Sequence, residues 1–278
     1  MASSSRPTLS FEFFPPKDEV SRVSLSASVH ELAELNPDFV SVTYGAMGSN
    51  QESSLAVVES LAKRFPTIAH LTCIGATREN IQALLDRYTQ LGVAGILALR
   101  GDKPANFDTL PASDYRVALD LVNQVVQTSN LPVGVATFPE KHPESPSLEH
   151  DIHVLKLKQD AGATFAMTQL FFSMHAYDEL VCAARSAGIT IPIVPGVMPI
   201  SNVKQVMRMA EMSGASVPDT LTNALTDAST DEDAQKVGMD FTVKLAAELL
   251  AKGAPGLHIF TLNHHRAAIE VATGAGLG

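Results

Sequence analysis

The sequence is short of several residue types, and each shortage excludes a class of protein. Among 278 residues there are two cysteines and no tryptophan. Cys73 and Cys182 lie far apart, without CxxC spacing, and no HExxH motif accompanies them. This count excludes a disulfide framework and gives no support to a zinc site. We therefore expect a reducing, cytoplasmic compartment and no bound metal.

Positive charge and long apolar runs are also scarce. Lysine and arginine together number 20 against 30 aspartates and glutamates, which gives a net charge of -10. An acidic chain without a lysine or arginine cluster is a poor partner for nucleic acid. No apolar stretch approaches the roughly 20 residues that a membrane-spanning helix needs. The serine-rich residues 1–8 lack the apolar run of a signal peptide, so we expect a flexible tail there.

What the sequence does contain is a regular alternation of two kinds of segment. Hydrophobic residues make up 45% of the chain, which is ample for a large core. Short β-rich runs, bounded by glycine, proline or polar residues, predict eight strands. These runs cover residues 9–14, 39–45, 67–73, 95–101, 132–138, 165–171, 192–198 and 257–262.

Between the strands, apolar residues recur at intervals of three and four, which predicts helices. These helices cover residues 19–35, 52–65, 78–91, 113–128, 148–161, 175–187, 201–212, 231–251 and 264–272. The strand–helix alternation favours an α/β fold, a single-domain (β/α)8 TIM barrel, over an open doubly wound sheet. We expect the barrel to occupy residues 9–273, with a two-helix insertion and an acidic loop at 226–233 before the last strand. Residues 274–278 are expected to form a frayed C-terminal tail.

The first strand carries an unusual carboxylate, Glu12, within the stretch LSFEFFPPK. Side chains alternate along a strand, so the leucine and two phenylalanines share one face, and Ser10 and Glu12 share the other. An unpaired glutamate buried among phenylalanines would cost several kcal/mol or take up a proton. Two prolines follow and cannot continue a ladder, which places Glu12 near the carboxyl end of the strand. The protein must therefore expose this carboxylate or use it.

Reactive groups in such barrels project from the carboxyl ends of the strands. Polar residues gather at those positions of successive apolar strands. They are Glu12, Thr43, Tyr44, His70, Thr72, Arg100, Asp102, Lys103, Thr137, Glu140, His142, Gln169, Thr261 and Asn263. A barrel that needed only stability would not place so many polar groups at one end, so we infer a site there.

Several segments in register then resemble one known family. These segments are FEFFPPK, FVSVTYGA, HLTCIGAT, LALRGDKP, FPEKHPES, KQDAGATFAMTQLFF, PIVPGVMPISN and FTLN. Together they are similar to the methylenetetrahydrofolate reductases, in the short bacterial form that consists of the catalytic barrel. The resemblance runs from Leu9 to Asn263, nearly the whole chain.

The resemblance implies a (β/α)8 flavoprotein of one-carbon metabolism. Such an enzyme passes hydride from NADH or NADPH through FAD to 5,10-methylenetetrahydrofolate and forms 5-methyltetrahydrofolate. Glu12 matches the family's general acid, which protonates the folate at N10 and assists ring opening. Asp102 matches an aspartate near the flavin ring and the folate, and Gln169 matches a residue that contacts the folate. An apolar barrel mouth would suit the acid, because loss of water favours the neutral form of a carboxylic acid.

The resemblance also implies which residues bind the cofactor and the substrates. The FAD positions are Thr43, His70, Arg100, Gly101, Asp102, Phe138, His142, Asp151 and Lys158. The substrate positions are Glu12, Gln169, Gln205 and Met209. The cations among the FAD positions would suit a pyrophosphate. The choice between NADH and NADPH cannot be read, since no separate dinucleotide domain carries a ribose signal. Family members associate, so the resemblance also implies a homo-oligomer.

Three positions depart from the family pattern. Phe138 and Phe260 stand where tyrosines are frequent, and Met209 stands where a phenylalanine is frequent. Each change removes a hydroxyl or a stacking ring that would contact FAD or a substrate. A flavin-independent version of the same reduction is therefore an alternative. A non-catalytic folate-binding barrel and a barrel flavoprotein that oxidises a small amine are two others.

Each residue also has a plain structural interpretation. Glu12 could form an ion pair at the rim with Arg100 or Lys103. Asp102 follows a glycine and could be an ordinary turn residue. His70 could be a core histidine whose hydrogen bonds are all satisfied. The remaining charged FAD positions could be solvated loop and helix residues.

Overall fold

The computed structural model describes residues 6–44, 51–102 and 112–278. The predicted rim residue Lys103 and most of the predicted N-terminal tail lie outside these ranges. The strands are β1 (Thr8–Phe13), β2 (Phe39–Val42), β3 (Thr67–Thr72), β4 (Gly95–Leu99), β5 (Val133–Thr137), β6 (Phe165–Thr168), β7 (Ile193–Val194), β8 (Gly196–Val197) and β9 (Gly256–Phe260). The helices are α1 (Glu19–Ala33), α2 (Gln51–Ala62), α3 (Arg78–Leu91), α4 (Ala118–Thr128), α5 (Leu148–Asp160), α6 (Met174–Ser186), α7 (Val203–Ser213), α8 (Asp219–Thr226), α9 (Asp231–Ala251) and α10 (His265–Gly274).

The strands form one parallel sheet in the order β7-β6-β5-β4-β3-β2-β1-β9-β8. β7 and β8 are the two halves of the strand predicted at 192–198, and they are separated by Pro195. Proline has no N–H, so it interrupts the ladder at that point. Because β7 pairs with β6 and β8 pairs with β9, this segment joins the two edges of the sheet. The result is a nearly closed barrel surrounded by helices, which confirms the predicted (β/α)8 architecture.

Apolar side chains fill two layers, one outside the strands and one inside. The outward residues Leu9, Phe11 and Phe13 of β1 belong to the large cluster that joins the strands to the helices. A smaller cluster inside the barrel consists of Phe39, Ile68, Leu97, Phe165 and Met167. The predicted alternation of β1 is thus confirmed, because Ser10 and Glu12 lie on the face opposite the leucine and the phenylalanines.

Two helix predictions need correction. α4 begins at Ala118 rather than at residue 113. The Asp120 carboxylate accepts a hydrogen bond from the Arg116 N–H at 2.9 Å, and the Ser113 hydroxyl donates to the Cys73 carbonyl at 3.0 Å. These contacts hold residues 113–117 in a turn, since short polar side chains compete with helical hydrogen bonding.

The region before the last strand contains three helices where two were predicted. α8 is the additional helix, and its eight residues are too few for a clear periodic signal. The acidic residues Asp231, Glu232 and Asp233 belong to the first turn of α9 rather than to a loop. Carboxylates are favourable there because the helix N-terminus carries partial positive charge.

The expected fraying of the C-terminus is also wrong. Leu277 is buried in the main core, and its N–H donates to the Ala272 carbonyl at 2.9 Å. The last residues therefore pack against the main core beside α10. Among the described helices, none combines the length and the apolar character that crossing a membrane requires.

Gly134 on β5 is a position where the packing of the barrel interior leaves no room for a side chain. A Cβ atom there would lie 2.2 Å from two ring carbons of Phe165. We predict that Gly134→Ala destabilises the protein by roughly 1–3 kcal/mol or more, because the ring cannot leave a close-packed layer. Chemical denaturation measures this change. Phe165→Leu should partly rescue it, so the double variant should be less destabilised than the sum of the two single variants. Strict additivity would contradict the clash.

Candidate active site

Glu12 lies inside the barrel, where its carboxylate faces two imidazoles. The Oε2 atom is 3.5 Å from Nε2 of His70 and 3.5 Å from Nε2 of His258. The Glu12 side chain retains 8% of its exposure. Of the two ion-pair partners predicted for Glu12, Arg100 pairs with Glu144 instead, and Lys103 lies outside the described residues. The structure thus places the carboxylate in a buried, polar cluster and gives it no ion pair with Arg100.

The turn after β9 fixes the end of β1 and so positions Glu12. The Thr261 hydroxyl donates to the Glu12 carbonyl at 2.7 Å. The Asn263 amide accepts from the Phe14 N–H at 3.0 Å and donates to the Phe14 carbonyl at 2.9 Å. Leu262 and Asn263 have φ values of 49° and 59°, a left-handed pair that costs conformational energy for these residue types. Asn263, predicted as a rim group, therefore holds backbone in place.

His258 is a site residue that sequence reasoning missed. It is fully buried at the centre of β9, and its ring stacks on Phe39 with centroids 6.1 Å apart. Its Nδ1 lies 2.9 Å from the Ser10 hydroxyl, and its Nε2 lies 3.4 Å from the Ser41 hydroxyl. An examination of strand ends alone overlooks this position. The available signal was a histidine in the middle of a short apolar strand, where a buried ring nitrogen needs partners.

His70 is not the satisfied core histidine of the plain interpretation. Its Nε2 atom is buried without a hydrogen-bond partner. Burial lowers the pKa of His70 to about 4, while the Glu12 charge acts in the opposite direction and His258 lowers the value further. His70 is therefore neutral at physiological pH. An orphaned buried ring nitrogen beside a carboxylate is typical of a site that a ligand completes.

A second polar group forms where β5 leads into α5. The Asp151 carboxylate accepts from the His142 N–H at 2.6 Å and from the Ser145 hydroxyl, so it shapes the loop that precedes its own helix. The His142 ring meets Phe138 edge-on, with centroids 4.6 Å apart. Burial and the Arg100 charge lower the pKa of His142. The structure thus brings together four of the predicted FAD positions.

Lys158 belongs to the same group. Its Nζ donates to the Ala136 carbonyl at 3.4 Å, beneath the carboxyl end of β5. Burial lowers the pKa of Lys158 to about 8, and Asp151 opposes this effect only in part. Lys158 thus brings a cation to this group, and its described hydrogen bond goes to a backbone carbonyl rather than to a carboxylate.

Gly101 and Asp102 follow β4, between the two polar groups in the order of the strands. Gly101 has a φ of 87°, and a Cβ atom there would lie 2.8 Å from the Ile74 side chain. Only glycine fits this position. Asp102 is exposed and is the last described residue before the break in the described chain. Thr43, at the end of β2, is half-buried, and its N–H donates to the Phe13 carbonyl at 3.0 Å.

The predicted substrate residues beyond Glu12 lie on β6 and α7. The Gln169 side chain is half-buried, and its Oε1 accepts from the Leu170 N–H at 2.7 Å. Gln205 uses its Oε1 locally, where it accepts from the Ser201 N–H and the Ser201 hydroxyl, each at 2.7 Å. Met209 packs against an apolar cluster under α7. The structure does not bring these residues into contact with Glu12.

The cysteines agree with the sequence interpretation. Both are free, and Cys73 is buried while Cys182 is exposed. Burial raises the pKa of Cys73 to about 11, so it is a packing residue rather than a reactive thiol. Within the part of the chain that the structure describes, no three histidine, cysteine or acidic residues are arranged to hold a metal ion.

A comparison with protein families decides what kind of barrel this is. The family model for methylenetetrahydrofolate reductase matches residues 1–276. The chain belongs to the methylenetetrahydrofolate reductase family. The 5,10-methylenetetrahydrofolate reductase of Pectobacterium carotovorum is 35% identical over 261 residues, which cover 93% of this chain and 86% of that protein. The resemblance read from the motifs is thereby confirmed.

The chain is also similar to a longer plant protein and to a solved structure. Methylenetetrahydrofolate reductase (NADH) 1 of Arabidopsis thaliana is 35% identical over 284 residues, which cover 96% of this chain and 48% of that protein. Among solved structures, an uncharacterised Clostridium thermocellum protein that binds two copies of 5-methyl-5,6,7,8-tetrahydrofolic acid aligns with a TM-score of 0.65. The two chains are 16% identical, and the alignment covers 98% of this one and 93% of the other. That likeness supports the barrel fold.

The buried His70 of this reductase should make its stability depend on pH. In the folded protein its pKa is about 4, whereas an unfolded histidine titrates near 6.5. Between these values the unfolded chain binds more protons, so the free energy of unfolding should fall as pH decreases from 6.5 to 4. We predict that His70→Gln reduces this slope by up to about 1.4 kcal/mol per pH unit. Urea unfolding across that range measures it, and identical slopes in both proteins would contradict the assignment.

Proposed function

We propose that this protein reduces 5,10-methylenetetrahydrofolate to 5-methyltetrahydrofolate with NADH or NADPH, using FAD as the hydride carrier and Glu12 as the general acid. The observation that carries the proposal is the buried Glu12 carboxylate between two imidazoles at the barrel's inner face. Family membership and the 35% identical reductases support the reaction. The position of this carboxylate inside the barrel supports the acid role, because a general acid must lie within hydrogen-bond reach of the bound substrate.

The acid role follows from what opening of the folate ring requires. The five-membered ring opens when N10 gains a proton, and the resulting iminium is the group that accepts hydride. Glu12 is oriented for this step by the Thr261 and Asn263 contacts at the end of β1. Both of its described contacts involve Oε2, which leaves Oε1 for a substrate. Glu12 would hold the proton until the folate is bound and would release it to N10.

The residues of the second polar group fit FAD. Its pyrophosphate needs cations and N–H donors, and Arg100, His142 and Lys158 supply positive charge or ring nitrogens around one rim. The backbone at Gly101 packs closely against Ile74 and Thr72, so the turn that leads to Asp102 has no room for a side chain there. When bound, FAD supplies the hydride-transfer chemistry. Asp102, beside Gly101, would place a negative charge near the ring and disfavour its reduced form. Thr43 and Asp151 would complete the proposed FAD site.

The three departures from the family pattern change the walls of the site without removing its charged groups. Phe138 contacts the His142 ring, and Phe260 contacts the His258 ring edge-on at a centroid distance of 5.4 Å. Met209 and Phe260 lie on the same apolar cluster. These side chains keep the mouth apolar, which suits flat aromatic ligands. Gln169 and Gln205 would add polar contacts to the folate. Because Arg100 and Lys158 would suit the pyrophosphate of FAD, we favour the flavin over a flavin-independent reduction.

Three further properties belong to the proposal. The nicotinamide donor is NADH or NADPH, and the name of the Arabidopsis relative favours NADH. The protein would act in the cytoplasm, as one barrel over residues 9–273. Copies of the chain would associate into a homo-oligomer.

Replacement of the Glu12 acid should separate the two half-reactions. We predict that Glu12→Gln slows reduction of the folate by about 10²–10⁴-fold, because the amide cannot give the proton that a general acid supplies. Reduction of the bound flavin by the nicotinamide should change little. Anaerobic stopped-flow measurement of each half-reaction tests this result. An equal loss in both half-reactions would contradict the acid role, and an unimpaired folate half-reaction would refute it.

Neutralisation of Lys158 should weaken FAD binding. We predict that Lys158→Met lowers FAD affinity by about 10-fold or more, since a charge-assisted hydrogen bond contributes about 1.5–3 kcal/mol. The matched control is Lys156→Met. Lys156 lies two residues before Lys158 on α5 and pairs with Asp160 at the surface. Equilibrium dialysis with FAD compares the two variants. The flavin-free Lys158→Met protein should be no less stable than wild type, because burial disfavours the ammonium. Equal affinity in both variants would contradict the FAD assignment.

A further inference from the structure

Helix α7 carries two of the predicted substrate residues, yet it is attached to the barrel along a narrow strip. Of its 11 residues, the buried ones are Val206, Ala210 and Ser213. The other side chains are half-buried or exposed, Gln205 and Met209 among them. A helix with so few buried contacts has low local stability, so its position depends on whatever else holds it.

The C-terminal end of α7 is held by the loop that follows β5. The Glu140 Oε1 atom accepts a hydrogen bond from the Ser216 N–H at 2.9 Å, although the two residues are 76 positions apart in the sequence. Gly214 ends α7 with a φ of 74°, and a Cβ atom there would lie 2.9 Å from Cγ of Pro143. The loop and the helix end enclose a space of about 10 Å³, which is room for one water molecule at most. The two segments are therefore in close contact.

The loop supplies a fixed base for the Glu140 side chain. The next residue, Lys141, has a φ of 147°, and its Nζ donates to the Ser145 carbonyl at 2.9 Å. A lysine with a positive φ persists only where the surrounding contacts determine the backbone. The N–H of His142 is held in turn by the Asp151 carboxylate. Glu140 thus reaches towards α7 from a backbone that is itself held on its far side.

The contact lies at the end of the helical row that carries the substrate residues. Gln205, Met209 and Ser213 are each four positions apart, so they follow one another along one face of α7. Ser213 borders the small space against the Glu140 loop. A shift of the helix end would therefore displace the whole row, including the two side chains predicted to contact the folate.

We propose that Glu140 is a positioning residue for the folate: by accepting from the Ser216 N–H, it sets the position of α7 and so of Gln205 and Met209. This inference rests on the proposed function for the substrate role of those two side chains, whereas the position of α7 does not depend on it. The hydrogen bond needs an acceptor oxygen rather than a negative charge. A glutamine at position 140 would therefore keep it, because a side-chain amide oxygen also accepts.

Steady-state kinetics of the folate reduction gives the first test. Glu140→Ala should raise the KM for 5,10-methylenetetrahydrofolate about 3- to 10-fold, the loss expected for one net hydrogen bond. The value of kcat should change by less than about 2-fold, since no reacting group is removed. Glu140→Gln should restore the wild-type KM. Glu211→Ala is the matched control, because it removes an exposed carboxylate from α7 itself, and it should leave KM unchanged.

Two kinetic results would overturn the proposal. One is an unchanged KM in Glu140→Ala. The other is a Glu140→Gln protein as impaired as Glu140→Ala, which would mean that the charge matters and the hydrogen bond does not.

Amide hydrogen exchange of the flavin-free protein gives a second readout that needs no catalysis. In Glu140→Ala, peptides that cover α7 and Ser216 should exchange about 3- to 10-fold faster, while peptides of α5 keep their wild-type rate. Glu140→Gln and Glu211→Ala should exchange like wild type. Equal α7 exchange in Glu140→Ala and wild type would overturn the proposal. If the wild-type protein reduced no folate, the proposed function would fail, and exchange would still report whether Glu140 holds α7.

Discussion

A carboxylate held inside an apolar barrel is the constraint on which the rest of this structure depends. Removing a glutamate from water costs several kcal/mol unless neighbours compensate. Here the Glu12 carboxylate faces two imidazoles at 3.5 Å, and one of them, His258, contacts two buried serines. These residues come from β3, β2, β1 and β9, which are consecutive in the sheet. The parallel register of these strands therefore assembles the polar interior.

Two groups of polar residues with different chemistry lie on different sides of the barrel. On the side of β1 and β9 lies the buried polar cluster around Glu12. On the side of β4 and β5 lie the cationic residues, with Lys158 beneath them at a pKa of about 8. In a protein with a net charge of -10, Arg100 and Lys158 bring positive charge to this part of the rim, together with the carboxylates of Glu144 and Asp151. This division suits a reaction in which a proton and a hydride reach the same substrate from different groups.

The sequence predicted the fold well because each strand was short, apolar and bounded by strong breakers. All eight predicted strands are present, and even the one interrupted at Pro195 was placed correctly. The predictions of helix bounds and of the C-terminus were wrong where the local sequence is compatible with more than one conformation. Residues 113–117 look helical but are held by side chain to backbone bonds, and α8 is too short to show a period. Leu277 lies in a glycine-rich C-terminal segment, and its burial depends on core residues that are distant in the sequence.

A site residue was predictable from the residues alone only where burying its side chain would carry an evident energetic cost. Glu12 among phenylalanines could be recognised from the chain, whereas Gly101 was named only through the family resemblance. His258 could not be assigned, because its role depends on the register that places it opposite Ser10. Asn263 was recognised as a rim residue, but its φ of 59° and its clamp on Phe14 are properties of the folded turn. Register and backbone conformation are three-dimensional facts that one-dimensional spacing does not contain.

The most direct test of the account is an anaerobic spectrophotometric titration of the wild-type protein after incubation with FAD. The central claim is that this barrel rim passes hydride from a nicotinamide through FAD to the folate. It predicts that NADH or NADPH bleaches the flavin absorbance, and that 5,10-methylenetetrahydrofolate then restores it as 5-methyltetrahydrofolate forms in equal amount. Protein that takes up no FAD, or a reduced flavin that the folate fails to reoxidise, would contradict the claim.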